Sequence, residues 1–286
     1  MTCKDSLQKQ AIEYVTSKAQ SGLPMDRNLR ITAHFHPDTL YEGRLLIEEL
    51  ADSGEYRSQF ETGTSNGGLT ATVGGERWQW ESRIFGGVYD SAPASERPKY
   101  GSLNFRKRDL GGSPRFGSAF FRLKEETLDR ATFCYPDSYF CPEHFSVAQS
   151  MYLIDVANAD QKDILDDYIE TQIHGTLSIA KDVEALVLDP CYKNSRVEEA
   201  ANRLPCKIEW HSGFVLSSQV MEEQWDYRGE EYVRLGLTLM KDGILTAKEI
   251  GDAAATGKYS QQDLKKVWHY VARWGGNYSS DWDIQA

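Results

Sequence analysis

A period-two run near the middle of the chain limits the fold more than any other feature. In residues 165–189, LDDYIETQIHGTLSIAKDVEALVLD, Glu170, Gln172 and His174 alternate with Ile169, Thr171 and Ile173, and the apolar stretch Glu184–Asp189 follows. Successive side chains of an extended chain point to opposite faces. A strand here therefore carries a carboxylate, an amide and an imidazole on one side and a mostly apolar set on the other. Such a strand can line a polar cleft, although a surface strand would show the same alternation.

A second alternation lies upstream. In LRITAHFHPD, residues 29–38, the apolar Leu29, Ile31, Ala33 and Phe35 interleave with Arg30, Thr32, His34 and His36. One face carries a guanidinium, a hydroxyl and two of the chain's six histidines, while the other is apolar. Pro37 ends this strand. Asp38 and Thr39 are suited to cap a helix over about 39–52, with Leu46, Ile47, Leu50 and Ala51 turned inward. An edge strand with a solvated polar side is the simpler alternative.

The chain's 286 residues suffice for one large domain or a domain with an appendage. The net charge of −11 argues against nucleic acid or an anionic membrane as the main partner. The five cysteines are scattered with no CxxC, which indicates neither a zinc site nor a disulfide framework and favours a reducing compartment. No run of about eighteen apolar residues occurs and the N-terminus lacks a signal-peptide core, so the expectation is a chain without membrane spans.

Residues 5–20 have helical spacing and stop at Ser21-Gly22. The glycine-dense stretch 55–120 reads as meandering β structure with tight turns, with strands expected at 56–60, 69–73, 77–80, 102–105 and 118–123. Further on, helix is expected over 160–170 and 197–204, and strand over 184–188 and 207–216. Near the end, LTAKEIGDAAATGKYSQQDLKKVWHYVARWG reads as two helices broken at Gly257. Thr246 and Glu249 form a capping box, and Leu264, Val267, Trp268 and Val271 form an apolar stripe suited to core packing. A helix-turn-helix reading of this segment is opposed by the net charge. The division expected is a main domain at 1–222, which the resemblance given next implies to be catalytic, and a helical appendage at 223–286.

Six ordered blocks together resemble one bacterial family, DUF3626: HFHPD at 34–38, YRSQFETGTSNGGLTATVGG at 56–75, WESRIFGGVYD at 80–90, RPKYGSLNF at 97–105, PRFGSAFFRL at 114–123, and YIETQIHG with DVEALVLDP within 168–190. That family includes a bacterial effector that mono-ADP-ribosylates a threonine of host ubiquitin. More faintly, the blocks are similar to the general ADP-ribosyltransferase plan. There a first strand carries His or Arg, a mid-domain aromatic ring stacks nicotinamide, and a late strand carries Glu. The resemblance implies an α+β fold, an ADP-ribosyltransferase-like split β-sheet core with an N-terminal helix and a C-terminal helical appendage. It also implies NAD+ as a substrate and host ubiquitin as a partner, with secretion into a host cytosol by a specialised system.

By the same resemblance Glu170 and His36 are the expected catalytic residues. Arg30, His34, Thr64, Ser65, Asn66, Tyr89 and Tyr100 are the expected NAD+-binding residues. The chain departs from the family plan in two places. Tyr168 stands two residues before Glu170, where Gln or Glu is usual, and no Ser-Thr-Ser triplet occurs. His174, Glu61 and Asp90 are open as the group that deprotonates an acceptor hydroxyl, and Asp137 is a further loop candidate.

Two other classes compete. A metal-dependent hydrolase would be built on His34, His36, Asp38, His174, Glu170 and His211. A non-catalytic module would grip a protein partner with the aromatic and acidic surfaces.

Overall fold

The structure, a computed structural model, describes residues 6–63 and 69–278. Both alternating segments become strands of one eight-stranded sheet. In chain order its strands are β1 (Ile31–Phe35), β2 (Lys99–Leu103), β3 (Ala119–Leu123), β4 (Ala131–Tyr135), β5 (His144–Val147), β6 (Ile169–Ile173), β7 (Val183–Leu188) and β8 (Lys207–Trp210). In space they run β8-β7-β3-β1-β2-β6-β4-β5, antiparallel at every junction except β7–β8.

Register fixes which residues share a face. Thr32 pairs with Ser102, Ser102 with Glu170, and Glu170 with Cys134, so these four form one row across four strands. By the strand period, His34, Tyr100, Gln172 and Thr132 lie on that same face. The two polar alternations of the sequence are thus two parts of one surface, separated only by β2. The opposite face is the core, where Ile31, Ala33, Phe35, Leu103, Phe121, Phe133, Ile169 and Ile173 are all buried.

One junction is incomplete. β1 and β2 pair only at Ile31–Leu103 and Thr32–Ser102, whereas β1–β3 has four paired positions and β2–β6 has five. Beyond Thr32 the ladder between β1 and β2 stops. A cleft fills the gap, walled by His34, Phe35 and His36 from one strand and Tyr100 and Gly101 from the other.

Two helices roof the polar face beside β4 and β5. The first is α1 (Leu7–Lys18) and the second α3 (Glu76–Ile84), and they meet in a second apolar cluster containing Ala11, Val15, Trp80 and Ile84. Between them in sequence is α2 (Leu46–Ser53), whose Ile47 and Leu50 join the main core. The last helix, α4 (Gln261–Trp274), covers the β1 side. Trp268 donates its indole N–H to the Pro114 carbonyl at 3.0 Å and rests edge-on against His36, with ring centroids 4.8 Å apart. Val267, Trp268 and Val271 belong to the same buried cluster as Ile31 and Leu186. The apolar stripe is core packing, and the Thr246–Glu249 capping box is present.

Several expected elements differ. The helix expected from residue 39 starts at Leu46, because 40–45 folds back on itself as a hairpin with Glu42 and Gly43 at φ 51° and 81°. Two successive positive φ values are the requirement of a tight hairpin turn, and glycine meets it at no steric cost. The strand expected at 77–80 lies inside α3. Its buried residues Arg77, Trp80, Glu81 and Ile84 follow helical spacing, and the glycine pairs on either side bound a helix rather than β turns. Residues 59–62 are a helical turn, 69–73 form no strand, the helix expected over 160–170 is at Leu153–Ala159, and β8 stops at Trp210. Among the described residues, no helix is long and apolar enough to cross a membrane.

Candidate functional site

The cleft encloses about 430 Å³. Glu170 from β6 stands in it together with Arg77 from α3, Tyr100 from β2, and Asp137, Ser138 and Tyr139 from the turn after β4. Strand pairing sets the depth of Glu170, which is only 6% exposed.

Glu170 is held from two directions. Ser138 gives both its backbone N–H, at 3.1 Å, and its hydroxyl, at 2.7 Å, to Oε2. That hydroxyl in turn accepts from Arg77 Nη1 at 2.8 Å, and the same guanidinium nitrogen is 3.8 Å from Oε1. On the other side Gln172 Nε2 donates to Oε1 at 3.1 Å, while the Cys134 thiol approaches it at 3.8 Å. Burial pushes the Glu170 carboxyl above the ordinary carboxylate range, with the Arg77 charge pulling the other way.

The Gln172 amide is itself oriented. Its Oε1 accepts the Thr132 hydroxyl at 2.9 Å. Thr132 has only one hydroxyl proton to give, so at the 3.0 Å contact with His174 it accepts from Nε2–H. His174 Nδ1 is then left to accept the Tyr89 hydroxyl at 2.8 Å. One unbroken donor–acceptor chain runs Tyr89, His174, Thr132, Gln172, Glu170. Burial holds His174 neutral, its pKa pushed down to about 3.

Arg77 is fixed from the other side. Its guanidinium lies over the Tyr100 ring, 4.1 Å from the centroid, an arrangement favoured by the ring quadrupole. The Tyr100 hydroxyl donates to Glu81 Oε1 at 2.9 Å, and Glu81 takes Arg97 at 2.6 Å. Across the cleft, His34 spends both ring nitrogens on the chain. Ser113 N–H donates to Nε2 at 3.3 Å and Nδ1 donates to the Gly117 carbonyl at 3.1 Å. Burial lowers its pKa to about 3. His36 is half-buried on the cleft wall, near Ser118 Oγ at 3.4 Å, and burial lowers its pKa to about 4. Both imidazoles are neutral at pH 7.

These placements sort the expected residues. Glu170, His36, His34 and Tyr100 all line the cleft. Tyr89 does not. Its ring is fully buried under α3 and its hydroxyl is committed to His174, so a stacking role is corrected to a structural one. Arg30 also lies away from the cleft, ion-paired with Glu184 at 2.8 Å because β1 and β7 both flank β3. Thr64, Ser65 and Asn66 lie outside the described residues, although Thr62, Gly63 and Leu69 on either side line the cleft.

Of His174, Glu61 and Asp90, left open for deprotonating an acceptor, none lines the cleft. His174 is inside the chain described above, Glu61 caps its own helical turn through Ser58 N–H, and Asp90 takes Ser82 Oγ. Asp137 does line it, as the cap of the turn before Tyr139 and the acceptor of the Tyr168 hydroxyl. The ligand set of a metal hydrolase is dispersed. His174 and His34 are committed as stated, and His211 bonds the Ser118 carbonyl and Gly213 N–H. Among the described residues no three His, Cys, Asp or Glu side chains gather so as to hold a metal ion.

Sequence reading missed Arg77, Ser138 and Tyr139. The signal for the last two was a polar Pro-Asp-Ser step inside the aromatic run FCYPDSYF. Arg77 gave no signal, because a buried guanidinium interrupts the hydropathy pattern of its helix.

The fold and cleft define a mixed α/β protein built on one large, mostly antiparallel sheet, with a buried carboxylate in a gap between two central strands. The family model described as a protein of unknown function (DUF3626) matches residues 30–151 and 143–274, and the chain belongs to that family. No curated protein matches the chain.

Proposed function

We propose that the protein is a mono-ADP-ribosyltransferase that moves ADP-ribose from NAD+ to a protein hydroxyl, with a threonine of host ubiquitin as the acceptor suggested by the resemblance of the sequence. The observation that carries this reading is the shared face. His36 and Glu170, expected from separate segments, open into one cleft on either side of the gap between β1 and β2. Its volume, about 430 Å³, is within the usual range for small-molecule sites.

In such a transfer the bond from ribose C1 to the nicotinamide nitrogen breaks and nicotinamide leaves with the electron pair. The acceptor oxygen bonds C1 and loses its proton. Positive charge builds on the ribose, as in glycoside cleavage. Glu170 answers that charge from a water-poor position, where a carboxylate acts far more strongly than in bulk water. Its roughly four lone-pair positions already receive Ser138 twice, Gln172 and Cys134. The thiol contact, at 3.8 Å, is the weakest, and a ribose hydroxyl replaces it.

Tyr100 presents the ring for nicotinamide, pinned by Arg77 and Glu81. Neutral His36 binds the ribose as a hydrogen-bonding group. Asp137 takes the acceptor proton, because it is the carboxylate beside Glu170 on the turn after β4. As an effector, the protein would work in a host cytosol after secretion.

The test is transfer from labelled NAD+ to purified ubiquitin, wild type beside Glu170→Gln, with mass spectrometry of the product. An adduct of one ADP-ribose on a threonine, lost in the variant, bears the reading out. An adduct that survives the variant keeps the reaction and removes Glu170 from it. No adduct and no nicotinamide release overturns the reading.

A further inference from the structure

We propose that a second pocket, adjoining the cleft, binds a phosphate group. It encloses about 310 Å³ and shares Phe116, Asp137 and Tyr139 with the cleft, so a ligand seated beside Glu170 can extend into it. The proposal concerns the anion alone and stands whichever reaction the cleft carries.

Charge is the first argument. In a chain of net charge −11, this pocket is lined by Arg115, Arg228, Lys265 and Lys266, drawn from three separate segments, and by one acid, Asp137. Arg115 is paired with Asp166, whereas Lys266 and Arg228 bond the neutral hydroxyls of Tyr232 and Tyr227. Basic side chains thus reach the pocket from three separate segments, with Asp137 the one acid that lines it. A phosphate group, which carries about −1.5 to −2 at neutral pH and presents three strong acceptor oxygens, suits a site with basic groups on three sides better than a carboxylate does.

The second argument is independent of charge. His269 on α4 lines the pocket, is 4% exposed, and has no hydrogen-bond partner on either ring nitrogen. Arg228 Nε, on a different segment, is likewise buried without a partner. Buried polar atoms in native proteins are almost always paired, because an unpaired one keeps its full desolvation cost. Two such groups on separate elements of one basic pocket point to a missing acceptor. Burial, followed by the charges of Arg115, Arg228 and Lys265, with His36 contributing, keeps His269 neutral. An anion there relieves that repulsion and accepts the imidazole N–H.

The test is NMR of the His269 ring resonances, assigned by their loss in His269→Gln, during titration of the full chain with inorganic phosphate and pyrophosphate. Sodium chloride at matched ionic strength and sodium acetate are the controls. The expected result is a saturable shift with both phosphates, a rise in the apparent His269 pKa, and at least tenfold weaker binding in Arg228→Gln and in Lys265→Gln. The two substitutions lie on different elements, so misfolding of one leaves the other informative. A shift reproduced by chloride, acetate binding as tight as phosphate, no shift at all, or undiminished binding in both folded variants would overturn the proposal.

Discussion

Gln172 donates its amide N–H to Glu170 Oε1 at 3.1 Å from two residues along the same strand, and its amide oxygen is held in turn by Thr132. The strand therefore carries a carboxylate and the group that aims it. Behind Thr132 the chain continues through His174 to Tyr89, so the orientation of Glu170 is fixed by residues outside the cleft. Networks of this kind are worth more than their separate bonds, and losing one member exposes its neighbours to full desolvation costs.

Thr132→Val removes the hydroxyl that joins Gln172 to His174. Two buried groups lose their partners, so the variant loses about 2 kcal/mol of stability. Transferase activity falls as the Gln172 amide loses its orientation. Thr132→Ser keeps the hydroxyl and restores both. Urea denaturation read beside transferase rate checks this, and a Val variant as active and stable as wild type would remove Thr132 from the positioning role.

Glu170 must be ionised to stabilise a developing cation, and burial raises its pKa above the ordinary value near 4.3. The acid limb of kcat/KM therefore lies at higher pH than for an exposed carboxylate, with activity lost as pH falls through it. Arg77 favours the ionised form, so Arg77→Gln moves that limb to still higher pH. Glu170→Gln flattens the limb and lowers kcat about 10²- to 10³-fold, the usual cost of one well-placed electrostatic group. A limb that stays in place in Arg77→Gln would show that Arg77 does not act on Glu170.

His34 and His174 each have a folded-state pKa lowered to about 3, against about 6.5 in an unfolded chain. Below pH 6.5 the unfolded chain takes up protons that the folded one refuses. Stability from these two groups is complete above about 6.5 and is lost as pH falls toward 3, each contributing a slope of about 1.4 kcal/mol per pH unit within that window. Chemical denaturation from pH 7.5 down to about 4.5 reads this directly. A denaturation midpoint that does not move over that range would contradict the buried neutral imidazoles.

Trp268→Phe keeps a ring against His36 but leaves the Pro114 carbonyl without its donor, at about 1–2 kcal/mol. Trp268→Ala also opens a cavity in the core and costs about 3–5 kcal/mol. Thermal and chemical denaturation rank the two, and equal stability in both would mean that the packing around Trp268 contributes little.

Both polar alternations were legible because period two converts directly into faces. That those faces form a single surface depends on β2, which pairs Ser102 with both Thr32 and Glu170, and long-range register of that kind leaves no local trace. Helix α3 was hidden for another reason. Its inward stripe includes Arg77 and Glu81, charged groups that stay buried because Ser138, Tyr100 and Arg97 receive them. A hydropathy pattern counts such residues as exposed, so the glycines around them read as β turns. Tyr89 was misplaced because an aromatic residue in a glycine-rich stretch suits a ligand and a core equally well, and a distant imidazole decided between them.

The contact of Trp268 with His36 joins α4 to the residue that follows β1. A ribosome makes the chain from the N-terminus, and segments fold as they emerge. A nascent chain that has only reached residue 260 already contains Glu170, Arg77 and Ser138 but lacks the ring behind His36 and the indole that ties down Pro114. The cleft is therefore finished late in translation, and prematurely terminated chains carry both walls of the site without the indole that backs His36.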